Sequence, residues 1–172
     1  CHLTKEGAVF RTFAPAAIKI SVIGEFNNWS EEPMNKIYDG NFWECEIPNV
    51  KSGMKYKYRI YRMDNTFVDH ADPYGFGMEM PPMSASVVND LFSYKWNDKN
   101  WMKKRTDCKE SALNIYEVHL GSWRKKSDDT WYSYKEIAEP LVSYVKEKGY
   151  NYIEIMPLAE HPCDNSWGYQ QT

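Results

Sequence analysis

The stretch AIKISVIG, residues 17–24, alternates in character: Ile18, Ile20 and Val22 fall on one side of an extended chain, Lys19 and Ser21 on the other. A period of two predicts a half-buried β-strand. Outward from it the same pattern recurs, most plainly in KYKYRIYR (55–62), where Tyr56, Tyr58 and Ile60 oppose Lys55, Lys57 and Arg59. Turn chemistry at NN (27–28), YDGN (38–41), KSG (51–53) and MDN (63–65) separates the runs at the spacing of a sandwich of short strands. No helical period interrupts this region. The reading for residues 1–92 is an all-β, immunoglobulin-like sandwich.

The pattern then changes. SYKWNDKNWMKKRTDCKES (93–111) is polar, charged and without a clean period, which predicts a surface linker. Beyond it come a strand-like run, NIYEVHLG (114–121), and YSYKEIAEPLVSYVKEKG (132–149), with Ile137, Leu141, Tyr144 and Val145 at helical spacing. A second strand-like run, NYIEIMP (151–157), follows. Strand, helix, strand predicts a parallel crossover. Ser133 and Glu136 form a capping box at the helix start, and Gly149 stands where a left-handed residue would end it. Pro140 removes a backbone donor, predicting a kink or a shorter helix that begins later. One βαβ unit (112–172) cannot cover both faces of its two strands, so it is expected to be a piece of something larger; were the next element another strand and helix, the natural continuation would be a (β/α)₈ TIM barrel. In such a barrel residues 157–172 would be a loop of the active-site face.

Composition narrows the function. A net charge of −3 spread along 172 residues gives no basic face for nucleic acid, and no apolar run is long enough to span a membrane. Cys1, Cys45, Cys108 and Cys163 contain no CxxC pair, so reduced structural thiols in a cytoplasmic protein are expected rather than a zinc site or a disulfide framework. His161 has no second ligand at zinc-like spacing, and no metal or cofactor is expected. A chain starting at Cys1 rather than Met is expected to have lost an upstream segment. Seven Trp and thirteen Tyr offer flat faces with polar edges, suited either to core packing or to stacking on sugars.

Several stretches together resemble one family, the 1,4-α-glucan (glycogen) branching enzymes. VFRTFAP, VIGEFNNW, YKYRIY, DHADPYGF and SASVVND are similar to successive parts of its N-terminal glycan-binding module, of carbohydrate-binding family 48 type. NIYEVHLGSWRKK, IEIMPLAEHP and SWGYQQT are similar to the first two strands and adjoining loops of its α-amylase-type barrel, of glycoside hydrolase family 13 type. The resemblance implies an enzyme that transfers α-1,4-glucan segments to 6-hydroxyls by a retaining double displacement, using an Asp and a Glu about 5 Å apart. Those carboxylates follow barrel strands four and five, so no catalytic residue is expected among these 172 and the piece alone should be inactive. Glu117, Glu154, Glu160 and Asp164 are not candidates for either role.

The resemblance makes Tyr169 the residue that stacks on sugar at the cleavage point. Trp167 and Gln170 either line the glucan groove or shape its loop. Similarity to the glycogen-binding module of AMP-activated kinase β-subunits implies a sandwich sugar site at Trp29, Lys57, Phe67 and Asn89. Alternatively the module braces the barrel, and Trp29 is a partly buried turn aromatic. The implied partner is α-1,4-glucan (glycogen, amylose, malto-oligosaccharides). A non-catalytic glycogen- or starch-binding module, and a related debranching or trehalohydrolase-type hydrolase, are the rival readings.

Overall fold

The computed structural model describes residues 1–105, 111–159, 161 and 163–171, so Cys108 and Glu160 lie outside it. The chain divides into two compact units, Cys1–Asn97 and Asp98–Thr172. The first holds β1 (His2–Leu3), β2 (Gly7–Phe13), β3 (Lys19–Gly24), β4 (Glu32–Pro33), β5 (Asn35–Ile37), β6 (Phe42–Pro48), β7 (Lys55–Tyr61), β8 (Phe67–His70) and β9 (Ser86–Val87). The second holds α1 (Lys99–Lys104), β10 (Ile115–Val118), α2 (Leu120–Trp123), α3 (Tyr134–Glu147) and β11 (Tyr152–Ile155).

The nine strands of the first unit form a β-sandwich. One antiparallel sheet runs β1-β2-β6-β5; the other runs β4-β3-β7-β8, with β9 on the remaining part of β7. Alternation decides which side chains meet between them. β2 sends Ala8, Phe10 and Thr12 inward, β6 sends Trp43, Cys45 and Ile47, and β7 sends Tyr56 and Tyr58. The Phe10 and Tyr56 rings meet across the core with centroids 5.0 Å apart. Burying the tyrosines requires partners for their hydroxyls, and both donate to Asp72 Oδ2, at 2.6 and 3.3 Å. Burial, and then the Asp72 charge, push both phenols above their ordinary range. Asp72 in turn is placed by its amide, which donates to Ser86 Oγ at 2.8 Å.

β3 departs from the half-buried strand read from its alternation. Ile18 precedes the strand and is exposed, whereas Ser21 and Ile23, on the side assigned to solvent, are buried. At Ser21 the cover is Glu31, which reaches back over β3 and accepts from Ser21 Oγ at 2.9 Å. The turn signals act as expected. Asn28, Tyr38, Asn65, Gly40 and Gly53 all take positive φ at the four turns.

In the second unit, β10 and β11 pair in parallel, Ile115 to Tyr152 through Val118 to Ile155, joined through α3. Ile137, Leu141 and Val145 of α3 pack with Val118 and Leu120, backed by Tyr116, Trp123, Tyr144 and Ile153. The capping box forms as read. The Ser133 amide donates to Glu136 Oε2 at 2.8 Å and the Glu136 amide returns to Ser133 Oγ at 3.4 Å. Lys126 and then Ser133 hold the Glu136 carboxyl down to about 2. Gly149 closes the helix at φ +80. The helix does not begin late: it runs from Tyr134 through Pro140 to Glu147. The firm cap and the apolar face outweigh the one missing amide. The exposed stretch read as linker contains α1, which buries no side chain and so leaves no periodic signal.

Candidate functional site

The outer face of the second sandwich sheet is built by β7. Because Tyr56 and Tyr58 turn inward, Lys55, Lys57, Arg59 and Tyr61 turn outward. β8 sets Asp69 opposite Arg59 and Phe67 opposite Tyr61. Arg59 grips Asp69 with two nitrogens, Nε to Oδ1 at 2.8 Å and Nη2 to Oδ2 at 2.9 Å, and its guanidinium lies 4.2 Å from the Phe67 ring centroid. This bidentate bond lowers the Asp69 carboxyl below its ordinary range. Glu31 accepts from Tyr61 OH at 2.6 Å, Lys19 Nζ at 2.9 Å and Ser21 Oγ at 2.9 Å. Those bonds, the tyrosine's first, hold its carboxyl down to about 2. The result is a fixed charged platform beside a half-exposed Phe67.

The four sandwich residues named from resemblance are not gathered in one hollow. The Trp29 amide donates to the carbonyl of Gly24 at 2.7 Å, and Gly24 pairs with Tyr56, one residue from Lys57. Trp29 and Lys57 therefore stand at one level of the sheet. Phe67 pairs with Tyr61, four residues further along β7, about 13 Å away. Lys57 Nζ donates to Ser84 Oγ at 3.0 Å. Asn89 Nδ2 donates to the Phe76 carbonyl at 2.8 Å, and Asn89 lines a separate cavity of about 580 Å³ with Val50, Ser52 and Asp90. Trp29, with φ +59, and Phe67 are both half exposed.

The second cluster lies at the carboxyl ends of β10 and β11, where ligands bind in parallel α/β sheets. His119 follows β10 directly, and its Nδ1 sits 2.8 Å from Ser122 Oγ. Gly121 makes room for the imidazole, since a Cβ there would lie 3.1 Å from Cε1 of His119. The ring stacks on Trp167 at 4.8 Å between centroids and 23° between planes. Trp167 and Gly168 have φ of +56 and +84, and a Cβ on Gly168 would fall 2.9 Å from Pro157 Cβ. Glycine is required there. The Tyr169 amide donates to the Ser166 carbonyl at 3.0 Å, leaving the ring 64% exposed with Gln170 beside it in solvent. Trp167 adjoins a cavity of about 430 Å³, lined also by His119, Ser122, Trp131, Tyr134 and His161. His161 Nδ1 lies 3.0 Å from the Ala159 carbonyl. Among the described residues no group of His, Cys, Asp and Glu could hold a metal. Glu117 and Glu154 pair in register and are both exposed on the face of the sheet away from α3.

The sequence reading did not single out Arg59, Tyr61 and Glu31, or His119, Trp131 and Tyr134. The outward alternation of β7 carried a signal for Arg59 and Tyr61. His119 stood where a strand meets its loop in EVHLG, the position from which parallel strands present chemistry.

Carbohydrate-binding module 48 (isoamylase N-terminal domain) matches residues 1–75. The chain is 45% identical over 99% of its length to the 1,4-α-glucan branching enzyme GlgB of Fusobacterium nucleatum, of which it covers 28%. It is 47% identical over 97% of its length to the corresponding enzyme of Francisella philomiragia, covering 27%. Both matches place it in the N-terminal portion of those enzymes. The chain thus spans about a quarter of the length of the curated relatives it matches. In fold it is similar to Klebsiella pneumoniae pullulanase complexed with maltotriose, with TM-score 0.69 and 19% identity over 94% of this chain and 18% of that one. A Salmonella typhimurium structure described as an α-amylase superposes with TM-score 0.72 at 22% identity, over 99% of this chain and 26% of that one. No helix among the described residues is long and apolar enough to cross a membrane.

Proposed function

We infer that this chain, matching the N-terminal portion of 1,4-α-glucan branching enzymes along nearly its whole length, is that portion of such an enzyme, acting in the cytoplasm on α-1,4-glucan. The sandwich is its glycan-binding module. The parallel β10–α3–β11 unit is the opening of a (β/α)₈ barrel, and its exposed strand face is the surface the following strands would cover. The observation that carries the reading is the 44–47% identity over 96–99% of the chain to enzymes of that single name.

Within that function the described residues bind and position glucan. Tyr169 offers an exposed ring at the mouth of the loop after β11. A flat apolar face there would hold a sugar ring and shield developing positive charge at its anomeric carbon. Trp167 and Gln170 line the glucan groove or shape that loop, and Trp29, Lys57, Phe67 and Asn89 would take glucan along the sandwich. The nucleophile and the general acid of a retaining transfer are assigned to neither Glu117 nor Glu154. Both are exposed within four-residue strands, and the resemblance puts the two catalytic carboxylates after later strands of the barrel.

An iodine–amylose assay tests the assignment. This chain alone should leave the spectrum unchanged, whereas a longer protein continuing it should shift the spectrum and form new α-1,6 linkages. A shift by the chain alone would overturn the assignment and make Glu117 and Glu154 the first residues to replace. Released sugar without new linkages from the longer protein would favour a hydrolase.

A further inference from the structure

We propose that the hollow of about 580 Å³ at one end of the sandwich binds a phosphorylated sugar, with its phosphate held by Lys5 and Lys51 and its ring against Phe92. Most cations of the sandwich are already engaged. Arg11, Lys19, Lys55 and Arg59 pair with Glu44, Glu31, Glu79 and Asp69, Lys57 donates to Ser84 Oγ, and Lys36 lies over the Trp43 ring. Lys5 and Lys51 make no ion pair or side-chain hydrogen bond among the described residues, yet both line this one hollow, as does His2.

Main-chain bonds bring the two lysines to the same place. Lys5 lies in the turn between β1 and β2, closed by the Thr4 amide on the Gly7 carbonyl at 2.9 Å. Lys51 opens the turn between β6 and β7, closed by the Met54 amide on the Lys51 carbonyl at 3.2 Å. The Asn49 amide donates to the Glu6 carbonyl at 2.8 Å and so joins the two turns. The Gly53 amide donates to the Val88 carbonyl at 2.8 Å, and the Asp90 amide to Ser52 Oγ at 3.3 Å, which fastens the segment after β9 to the second turn. Three loops thereby make one floor on the rigid scaffold of the two sheets.

The charges around that floor favour an anion. Asp90 is the acid among the lining residues, and its Oδ1 accepts the Phe92 amide at 2.9 Å, leaving one carboxylate against two ammonium groups. Glu6 and Glu46 line a neighbouring hollow that Lys5 also borders, and neither pairs with it. Thr4 Oγ1 accepts the Gly7 amide at 3.1 Å, so its hydroxyl proton remains to donate. A phosphate monoester, with about two negative charges and three acceptor oxygens, matches two ammonium groups and a hydroxyl. Phe92, 89% exposed, offers a flat face to the sugar. The sugar half of the proposal rests on the glucan-binding reading above, and the phosphate half stands without it. A free sugar phosphate and a phosphoester carried on glucan share this chemistry.

Glucose 6-phosphate titrated into this chain at fixed ionic strength, followed by the backbone amide resonances of residues 4–7 and 51–54, tests the proposal. The expected result is movement of both sets. Lys5→Gln and Lys51→Gln should each weaken the binding about tenfold, the contribution of one charge-assisted hydrogen bond, without disturbing the remaining resonances. Glucose should move neither set, and inorganic phosphate should bind several-fold more weakly than the sugar phosphate. Maltoheptaose phosphorylated on a 6-hydroxyl separates the two sources: tighter binding than glucose 6-phosphate assigns the site to phosphorylated glucan, and equal or weaker binding to the free sugar phosphate. No movement, movement that both glutamine variants leave unweakened, or equal movement with glucose would overturn the proposal and leave the glucan-binding reading standing. Inorganic phosphate binding as tightly as glucose 6-phosphate would overturn the sugar half and reduce the site to an adventitious ion only.

Discussion

Replacing Glu31 with glutamine removes one charge from a network whose geometry fixes the expected loss. The carboxylate accepts from Tyr61, Lys19 and Ser21, with Arg59 Nη1 3.4 Å from Oε1, and is held down to about 2 from 4.5. At about 1.4 kcal/mol per pKa unit, that difference caps the contribution near ~3 kcal/mol. The Glu31 side chain is still 26% exposed and Lys19 is 49% exposed, so water screens the pair and about 1–2 kcal/mol should remain. Because the folded carboxyl titrates below the unfolded one, the stabilisation is complete above pH 4.5 and lost as pH falls through about 2. Amide hydrogen exchange along β3 and β7 reads the sandwich separately from the second unit. At pH 7 the variant should exchange about 5–30-fold faster there, the equivalent of that loss. The gap in protection should close toward pH 2. An equal gap at both pH values, or none at pH 7, would show that the network does not stabilise through its charge.

Three other substitutions test the framework. Gly168→Ala, forced into φ +84 with its Cβ 2.9 Å from Pro157, should destabilise the loop by about 1 kcal/mol or more and weaken maltoheptaose contact with Tyr169, visible as altered loop resonances. Ile137→Ala, at a site 2% exposed, should cost about 2–5 kcal/mol and lower the melting midpoint of the second unit in calorimetry, leaving the sandwich transition in place. Tyr56→Phe deprives the buried Asp72 carboxylate of its 2.6 Å donor and should cost about 1.5–3 kcal/mol in urea unfolding; an unchanged midpoint would mean that the remaining donors suffice.

What the sequence disclosed was local. The alternation of KYKYRIYR placed every side chain of β7 on its observed side, and Ser133 with Glu136 marked the start of α3 because both capping bonds span three residues. Nonlocal burial was not legible. Ser21 is covered by Glu31, ten residues away, and a pattern of two cannot show what folds back over a strand's polar side. α1 escaped notice because a fully exposed helix has no apolar stripe. Pro140 suggested a kink or a shorter, later helix because its lost amide is a local cost, whereas the packing of Ile137, Leu141 and Val145, which keeps the helix running from Tyr134, is tertiary. In the candidate sites the exposed rings of Trp29 and Tyr169 were nameable from motifs. The stack of His119 on Trp167 was not, since it joins residues 48 positions apart through the pairing of β10 with β11.

The central claim is that this chain binds α-glucan through its own residues. Native electrophoresis with glycogen cast in the gel tests it most directly. The account predicts that the chain migrates more slowly in the glycogen gel than in a plain one, and that Trp29→Ala and Tyr169→Ala each recover part of the lost mobility. Identical mobility of the unmodified chain in both gels would contradict it.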